Sequence, residues 1–239
     1  MLALLAVCLL SACSGGGGFF KTYEYEEEMY LSLDGTATLY VNSSVAALNA
    51  LRGTSFDTNP ETLPERSAIE AYYTSPNIEV TRITYSRRSN RRYVHVRMDV
   101  KDVATLGASV PFDWSTYSFR RDGDLFYFKQ SIGAAAGKDV GNVGWRGNEI
   151  VAFRMHLPSK IAYHNAGADN LLRGNILVWE QSLADRLRGT PLTIDARMET
   201  QSILYRTIAL FASTFVVVAV LFVLVIWWVL RRGKKPAKV

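Results

Sequence analysis

Alternation of apolar and polar side chains dominates the first half of the chain. From Tyr23 to Leu33 the odd positions are apolar apart from Glu27, and the even positions include three glutamates. A period of two is typical of a β-strand with one buried face, and the Asp34-Gly35 pair favours a tight turn into a second strand over residues 36–41. The pattern predicts a β-hairpin. We interpret its glutamate run as a solvated strand face rather than as an acidic metal or substrate site.

The same alternation recurs through most of the chain. Two further hairpins are predicted, one turning at Ser89-Asn90 and one at Asp122-Gly123. Helical segments are short: Ser43 or Ser44 can cap a helix that runs through Leu51 and stops at Gly53. A second short helix is expected around residues 64–73. The remaining predicted strands are 79–87, 92–100, 116–121, 124–132, 149–157, 174–183 and 192–198.

One uncharged apolar stretch, Thr207 to Leu230, lies near the C-terminus. A helix of about 24 residues is about 36 Å long, which is enough to cross a bilayer with some tilt. The basic cluster that follows predicts a cytoplasmic C-terminus by the positive-inside rule, so that everything before the helix lies outside the cytoplasm. The predicted fold class is therefore α+β: a mainly antiparallel sheet, either open or barrel-like, two or three short helices, and one C-terminal transmembrane helix.

The N-terminus has the features of a secretion signal. The run Leu2 to Leu10 is apolar, too short to span a bilayer, and followed by small residues. The sequence Leu10-Ser11-Ala12-Cys13 resembles the lipobox of bacterial lipoproteins, in which the cysteine is lipidated and becomes the first mature residue; an ordinary cleavage site is the alternative. The predicted organisation is a signal peptide (1–12), a lipidated Cys13 with a flexible tether (13–20), an extracytoplasmic β-rich domain (21–202), a transmembrane helix (203–230) and a basic cytoplasmic tail (231–239).

The distribution of charge agrees with this topology. The chain has 27 Lys and Arg residues against 22 Asp and Glu residues, but five of the basic residues lie in the tail, which leaves 22 of each sign before it. A neutral domain has no basic face for nucleic acid, so we expect no nucleic-acid partner. Cys8 would leave with the signal and Cys13 would carry lipid, so no disulfide is expected in the mature protein.

Sequence patterns for catalysis are lacking. His95, His156 and His164 have no spacing typical of a metal site and are interpreted as exposed, and no Gly-x-Ser-x-Gly motif presents a nucleophile. The segment from Gly133 to Asp139 is similar to a phosphate loop, but it has one residue too few between its glycines and lacks the Ser or Thr that would hold Mg²⁺. We therefore expect no enzymatic activity, no cofactor, no metal and no nucleotide.

Two features are weak candidates for binding. The glycine-rich segment from Gly133 to Gly147 is predicted to be a mobile loop that can cover a ligand, with Trp145 as its only large apolar side chain. The tip of the second hairpin carries four arginines that can contact anionic lipid headgroups at about 1 kcal/mol each, although we favour the interpretation as a solvated turn that uses charge to stay soluble. These arginines are Arg87, Arg88, Arg91 and Arg92.

The segments before the apolar stretch resemble the closing strands of LppM-type bacterial lipoproteins. The matching segments are the Leu157-to-Gly167 stretch with its Pro-x-x-Ile and Asn-Ala-Gly elements, Gly174-Asn175 leading to Trp179, and the final strand from Leu192. The lipobox, the early Asp-Gly hairpin and the C-terminal helix with its basic tail are similar as well. The resemblance implies an envelope protein with a β-barrel-like domain that binds lipid or glycolipid, and it carries no catalytic residues.

The leading hypothesis is a non-enzymatic envelope lipoprotein of the bacterial cytoplasmic membrane whose domain binds a lipid, a glycolipid or another envelope ligand close to the bilayer. The alternative is a structural or assembly subunit that docks a membrane protein partner through a strand edge. An apolar cavity inside the sheet would favour the first, and a filled core with an exposed apolar patch would favour the second.

Overall fold

A computed structural model describes residues 21–167 and 170–232 of the chain. Cys13, the signal segment and the tail beyond Arg232 lie outside the described residues. The helices are α1 (Val45–Arg52), α2 (Arg66–Tyr73), α3 (Leu183–Leu187) and α4 (Ile203–Arg232), with 3-10 turns at Val103–Ala108 and Val110–Phe112. The strands are β1 (Thr22–Leu31), β2 (Ala37–Ser44), β3 (Ile78–Arg88), β4 (Arg91–Val100), β5 (Ser115–Asp122), β6 (Leu125–Ile132), β7 (Glu149–His156), β8 (Ser159–His164), β9 (Leu171–Leu172), β10 (Ile176–Ser182) and β11 (Leu192–Ser202).

The strands form two sheets. One has seven strands in the order β3-β4-β2-β1-β7-β10-β9, and the other has four in the order β5-β6-β11-β8. Every pair is antiparallel except β1 with β7, which is parallel. The predicted α+β class with a mainly antiparallel sheet is confirmed, and within the described ranges neither sheet closes into a barrel. The sequence predicted about nine strands. The strand β8 was missed because its sequence Ser-Lys-Ile-Ala-Tyr-His does not alternate, and β9 because it has only two residues.

The two sheets pack face to face over one apolar core. Leu39 and Phe153 of the large sheet and Phe128 and Ile194 of the small sheet are all buried in it. A cavity of about 10 Å³ lies between the sheets, lined by Leu39, Phe153 and Ile194 among others. That volume is about the size needed for one water molecule, so the core is filled by its own side chains.

Helix α1 begins and ends where the sequence predicted. The Ser44 hydroxyl accepts a hydrogen bond from the Ala47 backbone N–H at 3.0 Å, which satisfies one of the free donors of the first turn. At the other end Gly53 adopts a left-handed conformation with φ of 73° and donates its N–H to the carbonyl of Asn49. Both caps confirm the prediction, and they set the direction of the loop that leaves the helix.

Helix α4 continues directly from β11. The backbone N–H of Ile203 donates to the carbonyl of Pro158 at 3.1 Å, which fixes the first residue of the helix against the turn between β7 and β8. The helix has 30 residues, is exposed along its length, and is long and apolar enough to cross a membrane.

The arginine-bearing tip of the β3–β4 hairpin lies at the other end of the large sheet. There the Arg88 guanidinium donates to the carbonyl of Tyr23, near the start of β1. Tyr30, near the end of β1, pairs with His156, two residues before Pro158. Tyr30 lies seven positions after Tyr23 in the strand, so the tip and the beginning of α4 are about 23 Å apart along the strand direction.

Candidate functional site

A polar cleft of about 520 Å³ opens beside the β3–β4 tip. Three segments that are distant in sequence form its walls: the loop after α1, the β3–β4 turn and the middle of the glycine-rich segment. Its size lies within the range of small-molecule sites in proteins. We call it the tip cleft, and its polar uncharged side chains are Thr58, Asn59, Ser89, Asn90 and Asn142.

The β3–β4 turn supplies one wall because of its backbone conformation. Ser89 and Asn90 have φ of 48° and 56°, so both lie in the left-handed region that a two-residue hairpin turn requires. Asparagine tolerates this conformation better than most residues do. The Asn90 side-chain oxygen accepts a hydrogen bond from Arg87 at 2.7 Å, which holds the amide in place. The predicted hairpin and its turn position are confirmed.

A buried ion pair forms the base of the tip cleft. The Glu24 carboxylate accepts hydrogen bonds from the Arg91 guanidinium at 2.7 and 3.0 Å, from the Tyr93 hydroxyl at 2.6 Å and from the Trp145 indole N–H at 3.2 Å. Its side chain is 0% exposed and that of Arg91 is 7% exposed. Arg91 also donates to the carbonyl of Gly144 at 3.0 Å. The pair therefore ties the glycine-rich segment to the sheet.

The interpretation of the glutamate run as a solvated face was wrong for Glu24. A register shift against β7 falls between Tyr23 and Tyr25, and the carboxylate at this bulge lies beneath the glycine-rich segment. Glu26 is half-buried and pairs with Arg154 at 2.9 Å. No local sequence signal marks the burial of Glu24, because its arginine partner lies 67 residues away along the chain.

The four arginines predicted for headgroups have different environments. Arg91 faces inward and is neutralised by the buried acid, so it offers no free charge at the surface. Arg87 forms an ion pair with Glu61 at 2.5 Å, and Arg92 donates to the backbone carbonyl of Pro60 at 2.6 Å. Arg88 is exposed and donates to the carbonyl of Tyr23. Contact of this tip with lipid headgroups stays a prediction. The tip lies about 23 Å from the start of α4, measured along the strand direction.

The glycine-rich segment has no regular secondary structure but is attached at several points. The N–H of Ala136 donates to the carbonyl of Leu51 at 2.9 Å, and the Lys138 ammonium donates to Thr54 and Ser55 at 2.7 and 2.6 Å. Trp145 is half-buried against the core. Its role as a ligand lid stays a prediction; the structure places it beside the base of the tip cleft.

A smaller cleft of about 220 Å³ lies on the outer face of the large sheet and contains His95. The two ring nitrogens of His95 contact Asn42 at 2.9 Å and Ser86 at 2.7 Å. Burial lowers the pKa of His95, the nearby Arg88 lowers it further, and Glu26 opposes the change. The interpretation of His95 as exposed was wrong, since its side chain is partly buried and both ring nitrogens contact other side chains. Within residues 21–167 and 170–232, no group of three potential ligands is arranged to hold a metal ion.

The chain was compared with known families, curated proteins and solved structures. Neither a family model nor a curated protein matches it. It is similar to the NMR structure of the folded domain of LppM from Mycobacterium tuberculosis, with a TM-score of 0.41 and 12% sequence identity over 77% of this chain and 94% of that domain. The resemblance to LppM-type proteins seen in the closing strands is thus confirmed as a loose likeness of fold, which assigns no role to any residue.

Proposed function

We propose that this chain is a non-enzymatic protein of the bacterial cell envelope, anchored in the cytoplasmic membrane by α4, whose extracytoplasmic domain binds the sugar headgroup of a glycolipid in the tip cleft. The observation that carries the proposal is the lining of that cleft: five uncharged amide and hydroxyl side chains, with Arg91 already paired with Glu24. We choose a glycan because this lining can form hydrogen bonds with sugar hydroxyls and disfavours both acyl chains and strongly anionic headgroups.

An enclosed acyl chain does not fit the domain as described. The cavity between the two sheets has a volume of about 10 Å³, far below the roughly 300 to 1,000 Å³ that is usual for a bound small molecule. The tip cleft is large enough, but its lining is mainly polar, and an apolar chain there would gain little from burial. The lipid portion of a ligand would therefore stay in the bilayer and only its headgroup would bind.

A strongly anionic headgroup is also disfavoured. Phosphate recognition uses free arginine or lysine donors. In the tip cleft Arg91 is paired with Glu24, and Arg92 donates to the Pro60 carbonyl. Asp57 adds a negative charge, because hydrogen bonds from Asn59 and Thr62 lower the pKa of its carboxyl.

Sugar hydroxyls match this lining because each both donates and accepts hydrogen bonds. Side-chain amides and hydroxyls have the same dual capacity. Thr58, Asn59 and Asn142 come from two different walls of the cleft, so they can contact a ring from opposite sides. The distance of about 23 Å between the cleft and the start of α4 suits a headgroup of several sugars extending from the membrane.

The test is native mass spectrometry of the full chain, extracted from bacterial membranes in mild detergent. The Thr58→Tyr variant fills the tip cleft, and the matched control Thr116→Tyr places the same ring on the exposed face of β5. We expect one glycolipid per chain in the wild type and in Thr116→Tyr, and loss of it in Thr58→Tyr. A ligand-free wild type, or an equal load in Thr58→Tyr, would contradict the proposal.

Docking of a protein partner is the second candidate, favoured by the filled core. The long edge strand β3 offers the clearest surface, because its outer side has no neighbouring strand among the described residues. However, Glu79, Arg82, Arg87 and Arg88 lie along it and a register shift interrupts it after Val80. Charges and bulges protect an edge against strand addition. A partner protein that co-purifies in place of a glycolipid would favour this role.

A further inference from the structure

Two adjacent leucines are exposed at one edge of the large sheet. Leu171 and Leu172 form the short strand β9 and are 47% and 46% exposed. Arg173 follows them directly, and the turn then closes through Gly174 and Asn175, both with positive φ. A pair of exposed leucines followed by arginine on a tight turn suits the interface of a lipid bilayer, which is apolar inside and carries anionic headgroups at its boundary.

Hydrogen bonds attach this turn to the beginning of α4. The Asn175 side chain donates to the carbonyl of Ser159 at 2.6 Å. The neighbouring carbonyl, that of Pro158, accepts from the N–H of Ile203 at 3.1 Å. Two hydrogen bonds to adjacent carbonyls, one from the Asn175 side chain and one from the Ile203 backbone, therefore link this turn to the first residue of the helix that is long enough to cross a membrane.

We infer that Leu171 and Leu172 enter the interfacial layer of the same bilayer that α4 crosses, with Arg173 among the lipid phosphates. The side chains of Ile203 and Leu204 at the helix entry are also exposed. An arginine beside them can extend along the apolar boundary and keep its charge in the headgroup layer. This second contact restricts how the domain tilts about the start of α4.

The domain contains a matched control for this inference. Leu63 is 56% exposed, which is slightly more than either leucine of β9. It lies in the loop between α1 and α2, close to Glu61, which pairs with Arg87 at the distal tip. If exposure alone brought leucines into contact with lipid, Leu63 would behave in the same way as Leu172.

The test uses the full chain with Cys8 and Cys13 changed to serine, inserted into vesicles of phosphatidylcholine and phosphatidylglycerol. Single cysteines are introduced as Leu171→Cys, Leu172→Cys, Leu63→Cys and Val223→Cys, and each is labelled with bimane. The quencher is a lipid that carries a nitroxide on the acyl chain near the headgroup. We expect strong quenching and a blue-shifted emission at 171, 172 and 223, and a water-like emission without quenching at 63.

The outcomes separate this inference from the proposed function. Labels at 171 and 172 that behave like the label at 63, while 223 is quenched, would overturn the interfacial contact and leave the membrane anchor in place. A label at 223 that is not quenched would overturn both the contact and the anchor. Glycolipid binding in the tip cleft is measured separately, and neither result alters it.

Discussion

Glu24 and Arg91 form a buried ion pair that joins β1 to β4 beneath the tip cleft, with two hydrogen bonds of 2.7 and 3.0 Å. The remaining acceptor capacity of Glu24 is taken up by Tyr93 and Trp145. A buried carboxylate is tolerated only when its charge and lone pairs are satisfied in this way. The base of the cleft is thus fixed by groups from three parts of the chain.

Removing the charge of Glu24 is expected to destabilise the domain strongly. The Glu24→Gln variant leaves the Arg91 guanidinium buried without its counter-ion, which typically costs about 3 to 5 kcal/mol. The control Glu61→Gln breaks the exposed pair with Arg87 and should cost about 0 to 1 kcal/mol. Urea unfolding of both variants in detergent checks this. Equal losses of unfolding free energy in the two variants would contradict the larger contribution of the buried pair.

The indole N–H of Trp145 is expected to restrain the glycine-rich segment. Trp145→Phe keeps an aromatic ring but removes the donor to Glu24. Trypsin should then cleave after the exposed Arg146 several-fold faster, since cleavage follows local opening. Tyr163→Phe alters an exposed aromatic residue elsewhere and serves as the control. An unchanged cleavage rate in Trp145→Phe would show that other contacts hold the segment.

The C-cap of α1 is expected to require glycine for two reasons. Gly53 has φ of +73°, and a Cβ there would meet the Ala136 methyl group at 3.3 Å. Gly123 also has positive φ, +59°, but a Cβ there meets nothing within 4 Å. Gly123→Ala should cost about 1 to 2 kcal/mol from backbone strain, and Gly53→Ala should cost more. Thermal unfolding of the two variants measures the difference, and a smaller loss for Gly53→Ala would contradict the close approach.

His95 is expected to titrate below its ordinary pKa of 6.5, because burial and then Arg88 disfavour its charged form. A depressed pKa in the folded state means that its contribution to stability is present above 6.5 and is lost as the pH falls through the folded-state pKa. NMR of the ring protons over a pH series, assigned with His95→Gln, reports the value directly. A pKa at or above 6.5 would show that Glu26 outweighs burial.

Local signals predicted the fold better than they predicted the site. Alternation and turn residues located the Ser89-Asn90 hairpin, and Ser44 and Gly53 located α1, because those elements depend on neighbouring residues. The third hairpin was located to within one residue, since its turn is Gly123-Asp124 and not Asp122-Gly123. The parallel pairing of β1 with β7 depends on strands separated by more than a hundred residues, and alternation contains no information on it. The tip cleft was missed for the same reason, because Thr58, Asn90 and Asn142 meet only in the folded chain.

Photo-crosslinking in bacterial membranes tests the central claim most directly. Benzoylphenylalanine is placed at Glu61, which is exposed and follows Pro60 at the rim of the tip cleft, or, as the control, at Thr116 on β5. The adducts are identified by mass spectrometry after irradiation. We predict a glycolipid adduct at Glu61 and none at Thr116. A protein adduct at Glu61, or no adduct at all, would contradict glycolipid binding at this site.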